Sequence, residues 1–239
     1  MQRVFQKNLY LLLFRQLWMI VLLGASTFST FLYGEAVNQN NEFQLWAGIF
    51  IEKKISKEWS GFLETEYRYG DGASRLFEYY LQTRLQYTLC PCLIVAPGYR
   101  QIFSELDDQT SWKPVYDPLI DVEWFRPIQG WHFSDRSRFQ YFFRSWAEDY
   151  WHYRHRIQLI SPWKLGRMQW QLYGSNEFFI RKERGYSQNR LIIGGMFPIL
   201  KESSENKIKG RLFYMLRHEI TQEHWHHQHV LGLYGDFFY

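Results

Sequence analysis

The chain closes on a strand. Counting back from its last residue in steps of two gives Tyr239, Phe237, Gly235, Leu233 and Leu231, an apolar-to-small stripe. The residues between them are Phe238, Asp236, Tyr234, Gly232 and Val230. Chain ends are usually polar and frayed, so an aromatic end needs a physical reason. A strand that meets lipid requires one apolar face, and a ring at its terminus is most stable at the headgroup level. The pattern predicts the closing strand of a bacterial outer-membrane barrel. The competing architecture is the last strand of a soluble sandwich or barrel.

Upstream, period-2 segments recur from residue 43 onward, with no helical period. Phe43, Leu45, Ala47, Ile49 and Ile51 share a face. Leu63, Thr65, Tyr67 and Tyr69 oppose Glu64, Glu66 and Arg68, and Phe77, Tyr79, Leu81 and Leu85 oppose Glu78, Gln82 and Arg84. A strand near Leu93–Ile102 precedes an irregular acidic stretch, Ser104–Pro114. Then, over Pro118–Ile128, Ile120, Val122 and Trp124 alternate with Asp121 and Glu123, and further on Phe139, Tyr141 and Phe143 with Arg136, Arg138 and Gln140. Tyr153 and Ile157 oppose Arg154 and Arg156. Segments carrying Glu177, Arg190 and Arg217 follow before the closing strand. The pattern yields eleven strands. Single-chain bacterial barrels have even counts with both ends periplasmic, so the expectation becomes about 12, with 10 as the alternative. The fold class is all-β: one antiparallel up-and-down transmembrane barrel over residues 37–239.

The polar face sets the direction of the alternation. It is built mostly of Arg, Glu and Gln, while lysines such as Lys53, Lys54, Lys57, Lys164, Lys201, Lys207 and Lys209 sit at turns. Arg suits enclosed, bidentate pairing with carboxylates. The expectation is a lumen network of Glu64, Glu66, Arg68, Arg84, Asp121, Glu123, Arg136, Arg138, Arg154, Arg156, Glu177 and Arg190. Phe77, Tyr79, Leu81, Phe139, Tyr141, Phe143, Tyr153 and Ile157 should then face outward. In the alternative the charges form an ordinary solvated outer face.

Residues 1–36 read as a signal peptide. Arg3 and Lys7 form the positive region, apolar stretches Leu9–Phe14 and Leu17–Leu23 follow, and Gly34-Glu-Ala36 offers small residues for cleavage. Ser29 is a second cleavage candidate, and a retained anchor helix is the competing reading. Aromatics make up 20% of the chain, yet mean hydropathy is only −0.41, because rings alternate with polar residues. The formal charge of +4 falls to about +2 once Arg3, Lys7, Arg15 and Glu35 are removed, which gives no case for nucleic-acid binding. The chain has 2 cysteines, Cys90 and Cys92, around Pro91. They read as a tight turn, too tight for an easy intrachain disulfide, with an intermolecular bridge as the alternative in an oxidising compartment.

These segments resemble a bacterial outer-membrane barrel family known as a domain of unknown function, number 2490. The resemblance lies in Leu45-Trp46 leading to Glu64-Thr-Glu66-Tyr-Arg68, in Arg136-Ser-Arg138 and Arg154-His-Arg156, in Asn176–Phe179 followed by Gln188-Asn189-Arg190, and in the aromatic terminus. The crowded histidines and the Cys-Pro-Cys turn depart from it. The resemblance implies location and fold but brings no activity.

Little sequence-level chemistry stands out. His224, His226, His227 and His229 invite a metal reading, but on a strand only His227 and His229 share a face, too few ligands for a firm site. They read instead as a hairpin tip and interfacial residues. Glu64/Glu66 and Asp121/Glu123 could be acid/base pairs, yet nearby Arg residues favour ion pairing. Ser137, Ser145 and His155 could share the lipid-facing side, although spacing alone defines no triad. No phosphate-cradling or dinucleotide motif is present, and no cofactor or catalytic residue is assigned. The functional expectation is a structural, surface or narrow-pore barrel, with a lipid-modifying esterase or hydrolase as the alternative. Its expected partners are outer-membrane lipids, the barrel-insertion machinery and periplasmic chaperones. Leu231, Leu233, Phe237 and Tyr239 would form the insertion signal.

Overall fold

The computed structural model describes residues 41–105, 111–182, 184–200, 207–221 and 224–239. The signal-peptide reading of residues 1–36 lies outside the described residues. The eleven strands are β1 (Glu42–Lys54), β2 (Trp59–Gly70), β3 (Arg75–Cys90), β4 (Leu93–Glu105), β5 (Trp112–Ile128), β6 (Trp131–Arg144), β7 (Tyr150–Leu165), β8 (Trp170–Arg181), β9 (Gly185–Pro198), β10 (Lys207–Thr221) and β11 (His224–Phe238). Each pairs with its sequence neighbours, and β1 pairs with β11 to close the barrel. Closure gives every strand two partners and leaves no open sheet edge.

The eleven strands match the tally read from the alternation; the even-count rule moved the expectation to about 12 or 10. The geometry shows how an odd number closes. Neighbouring strands run antiparallel, but β1 and β11 run parallel, from Glu42 opposite Gln228 to Glu52 opposite Phe238. The barrel's first and last strands therefore begin at the same end, so the start of β1 and the end of β11 lie on opposite sides of the barrel rather than on one. Tyr239 extends the seam: its N–H donates to the Glu52 carbonyl and its own carbonyl accepts from Lys54, both at 2.9 Å.

Local chemistry sets the turns. Ile128 and Trp131 face each other across a two-residue loop, in which Gln129 (φ 50°) and Gly130 (φ 84°) are both left-handed. That is the twist a two-residue hairpin needs between right-twisted strands. The stretch expected to be irregular, Ser104–Pro114, is largely strand where described: β4 reaches Glu105 and β5 starts at Trp112. Pro114 bounded that stretch and Pro118 opened the strand expected after it. Both sit inside β5, opposite Phe103 and Tyr99, and the β5–β6 ladder skips Asp117 and Pro118, where proline has no N–H to give.

The alternation also fixes the two faces. Leu81, Phe139, Leu191 and Ile193 are exposed on the outside, whereas Gln82, Asp117, Asp121, Arg138 and Gln228 are buried inside. Phe77 corrects one expectation. The register shifts between Arg68 and Tyr69, with Arg68 opposite Glu78 and Tyr69 opposite Leu76. Phe77 becomes the extra residue of a bulge and is buried rather than outward.

Candidate functional site

Three features are candidates for function: the charged interior, a polar cluster on the outer face and the β3–β4 turn. The interior is organised in groups. Arg138 grips Asp121 with two bonds, Nε to Oδ1 at 2.6 Å and Nη2 to Oδ2 at 2.8 Å. Arg84 approaches the same carboxylate at 2.9 Å and Glu64 at 3.8 Å. Arg136, Arg154 and Arg190 converge on Glu177 at 2.7, 2.9 and 3.7 Å. Arg156 reaches Glu123 at 3.3 Å. Glu66 accepts from Arg68 Nε at 2.6 Å, and the same guanidinium bonds to Glu78. The twelve charged residues singled out from the alternation thus fall into four separate groups.

The interior also contains partners that the alternation reading left out. Arg100 and Asp117 pair at 2.6 Å, with Asp117 fully buried. Asp117 shares its parity with Asp121 and Glu123, so the signal existed; starting the strand at Pro118 hid it. Arg211 pairs with Asp236 at 2.6 Å, and Tyr234 donates to Glu66. Two guanidiniums lie over the Trp46 ring, Arg68 at 4.0 Å and Arg190 at 5.1 Å from its centroid. Its indole N–H donates to Gln44 at 3.0 Å. Around it pack Tyr173, Phe213, Met215, Val230 and Tyr234, so the lumen holds an aromatic cluster as well as charge.

On the outer face, β6 and β7 bring four polar side chains together. Ser137 lies opposite His155 in the ladder, as Phe139 lies opposite Tyr153. Ser137 Oγ is 2.9 Å from Tyr153 Oη and 3.4 Å from His155 Nδ1. Tyr153 Oη is 3.3 Å from the same nitrogen, and Asp135 Oδ1 is 3.5 Å from it. Ser145 lies apart, exposed in the turn after β6.

Other candidates stay dispersed. Among the described residues no group of three or more His, Cys, Asp or Glu side chains is placed to hold a metal. His227 packs edge-on against His218 at 4.3 Å, and His229 bonds to Tyr214. Cys90 and Cys92 are free thiols, 3.0 Å apart at the β3–β4 turn. In the closing strand Leu231 and Tyr239 are exposed, with Leu233 and Phe237 half-buried.

A solved structure of the NanC porin, in a rhombohedral crystal form, is similar to this chain at 9% identity and a TM-score of 0.44, covering 72% of this chain and 86% of that one. The barrel description rests on this chain's own strand ladder. No curated protein matches the chain. Residues 43–228 match the model of the family described as Protein of unknown function (DUF2490), and the chain belongs to that family.

Proposed function

We propose that this protein is an integral outer-membrane β-barrel whose lumen is filled by its own side chains, giving it a structural or surface role rather than an open-pore one. The observation that carries the reading is the inverted distribution of polarity. Ile193 is 65% exposed on the outside, while Asp117 is 0% and Arg138 3% exposed within. A water-soluble barrel of this composition would place those side chains the other way round. A closed ladder meets the demand that no backbone polar group face hydrocarbon unpaired. The signal-peptide reading of residues 1–36 fits export to the outer membrane of a Gram-negative-type bacterium.

Packing argues against a water-filled path. Gln44, Gln82, Met215, Gln228 and Val230 are buried on inner faces of β1, β3, β10 and β11. Contacts span the lumen between strands that are not neighbours, as between Trp46 on β1 and Arg190 on β9. Refolded protein in planar bilayers should insert yet carry no steady current above the lipid background. A stable ohmic conductance would sink the sealed-lumen reading and restore a narrow pore.

A lipid-modifying hydrolase is the second reading. The specific observation favouring it is the outward contact between Ser137 and His155 at 3.4 Å.

A further inference from the structure

Resting on that hydrolase reading, we infer that Ser137, His155 and Tyr153 form a catalytic site for carboxylic acyl esters of membrane lipids, with Asp135 as its electrostatic support. The location is the first argument. In Arg136-Ser-Arg138 and Arg154-His-Arg156 the strand alternation sends the arginines inward and Ser137 and His155 outward. Exposed apolar side chains flank them on the outer face, Phe139 and Ile157 on the same two strands and Ile180 and Leu191 beyond, with the Asn176–Asn189 pair beside Ile157. Ionisable side chains facing lipid are costly and are retained where they do chemistry. Asp135 and His155 both stand there, 3.5 Å apart.

The geometry assigns the roles. Ser137 Oγ is the nucleophile: it adds to the ester carbonyl carbon as its proton passes to His155 Nδ1, 3.4 Å away. The carbonyl oxygen becomes an oxyanion and accepts from Tyr153 Oη, which sits 2.9 Å from Ser137 Oγ. The C–O bond to the alcohol then breaks, and the leaving oxygen takes the proton from Nδ1. The acyl group stays on Oγ. Water attacks that acyl carbon, gives a proton to Nδ1, and the fatty acid departs as Oγ recovers the proton. Ser137 and Asp135 both face Nδ1, so Asp135 acts by charge on the imidazolium rather than by holding the opposite ring nitrogen. The substrate is a carboxylic ester rather than a phosphodiester, because phosphoryl oxygens call for cations. Arg136, Arg138, Arg154 and Arg156 all lie on the other side of the sheet.

Full-length protein refolded into vesicles of diacyl phosphatidylethanolamine tests the assignment, with fatty-acid release as the readout. A fluorophosphonate serves as the covalent serine probe. Wild-type and S145A proteins should release fatty acid and take up the probe on Ser137. S137A should fall to background, and H155A should fall by about 10²–10⁴-fold. D135N should lower kcat with KM unchanged, which loss of a merely structural contact would not do selectively. Resistance of the folded band to heating in detergent verifies that each variant is a finished barrel. Wild-type protein that is folded and inserted but inert overturns the hydrolase reading itself. Hydrolysis that survives in S137A leaves that reading standing and overturns the site assigned here.

Discussion

Arg138 on β6 and Gln82 on β3 meet inside the barrel, Nη1 to Oε1 at 3.2 Å, although two strands separate them around the wall. The same guanidinium holds Asp121 in a bidentate grip. One side chain thus ties three strands together through the interior, and Arg84 joins β3 to the same carboxylate. Such a cross-brace resists opening of the lumen more than a ladder of neighbour pairs could.

Glu177 is the most heavily shared anion of this interior. Glu177→Gln leaves Arg136, Arg154 and Arg190 without their common carboxylate. Breaking a buried ion pair by removing one partner costs about 3–5 kcal/mol. Glu123 pairs with Arg156 at 3.3 Å and is partly exposed, so Glu123→Gln should cost clearly less. Urea unfolding of both variants from vesicles checks the order. Equal losses would mean that convergence on Glu177 adds nothing.

Gly232 marks a second constraint, of space rather than charge. A Cβ placed there would lie 2.0 Å from Phe213 Cζ, because the far end of the Phe213 ring occupies the space over Gly232, with Tyr234 beside it at 5.4 Å between ring centroids. Gly232→Ala should destabilise the barrel by about 1–3 kcal/mol through overpacking. Phe213→Leu in the same chain should restore part of that, because the smaller side chain vacates the clash. The absence of any recovery in the double variant would rule out the ring as the cause.

The barrel was legible in the sequence because one rule, period 2, governs every strand, and because exposed Leu81 or Ile193 and buried Arg138 or Asp121 differ so strongly in polarity. What stayed hidden depends on pairing between strands. The bulge that buries Phe77 follows from how β2 and β3 align, and no count along β3 alone reveals it. Asp117 fell between the irregular stretch ending at Pro114 and the strand begun at Pro118, although both prolines stand where the ladder tolerates a missing donor. The approach of Asp135 and Ser137 on β6 to His155 on β7 also needs two strands in register. The sequence put Ser137, Ser145 and His155 on a shared lipid-facing side, but spacing alone brought no two of them together.

The β3–β4 turn allows a thiol experiment. Cys90 stands opposite Leu93, and the two sulfurs are 3.0 Å apart, so each thiol has its nearest partner in its own chain. The alternative of an intermolecular bridge thus meets a competing intrachain route, against the expectation that the turn is too tight for one. Mild oxidation by a small disulfide should remove both reactive thiols while the protein still runs as a monomer without reductant. Cys90→Ser and Cys92→Ser should each instead retain the small disulfide's thiol as a mixed disulfide. Reductant-sensitive dimers as the main wild-type product would favour bridging between chains.

The closing strand bears the last prediction. Phe237 and Phe238 pair with Ile51 and Glu52 on one side and with Ile208 and Lys207 on the other, and Tyr239 is bonded into β1 through both backbone groups. Deleting Phe237–Tyr239 therefore shortens the parallel seam where the barrel must shut. Parallel pairing is slightly weaker per residue than antiparallel, so this seam is the place where closure has least in reserve. Burying an aromatic ring at an interface is worth on the order of 1–3 kcal/mol, too little to unfold a finished barrel. The truncated protein should be exported yet poorly inserted, because β1 and β11 keep open edges for longer. Its loss should appear in outer-membrane yield, with refolded protein nearly as resistant to urea as the full chain. Equal outer-membrane levels of the two forms would remove Leu231, Leu233, Phe237 and Tyr239 from consideration as an insertion signal that requires its aromatic end.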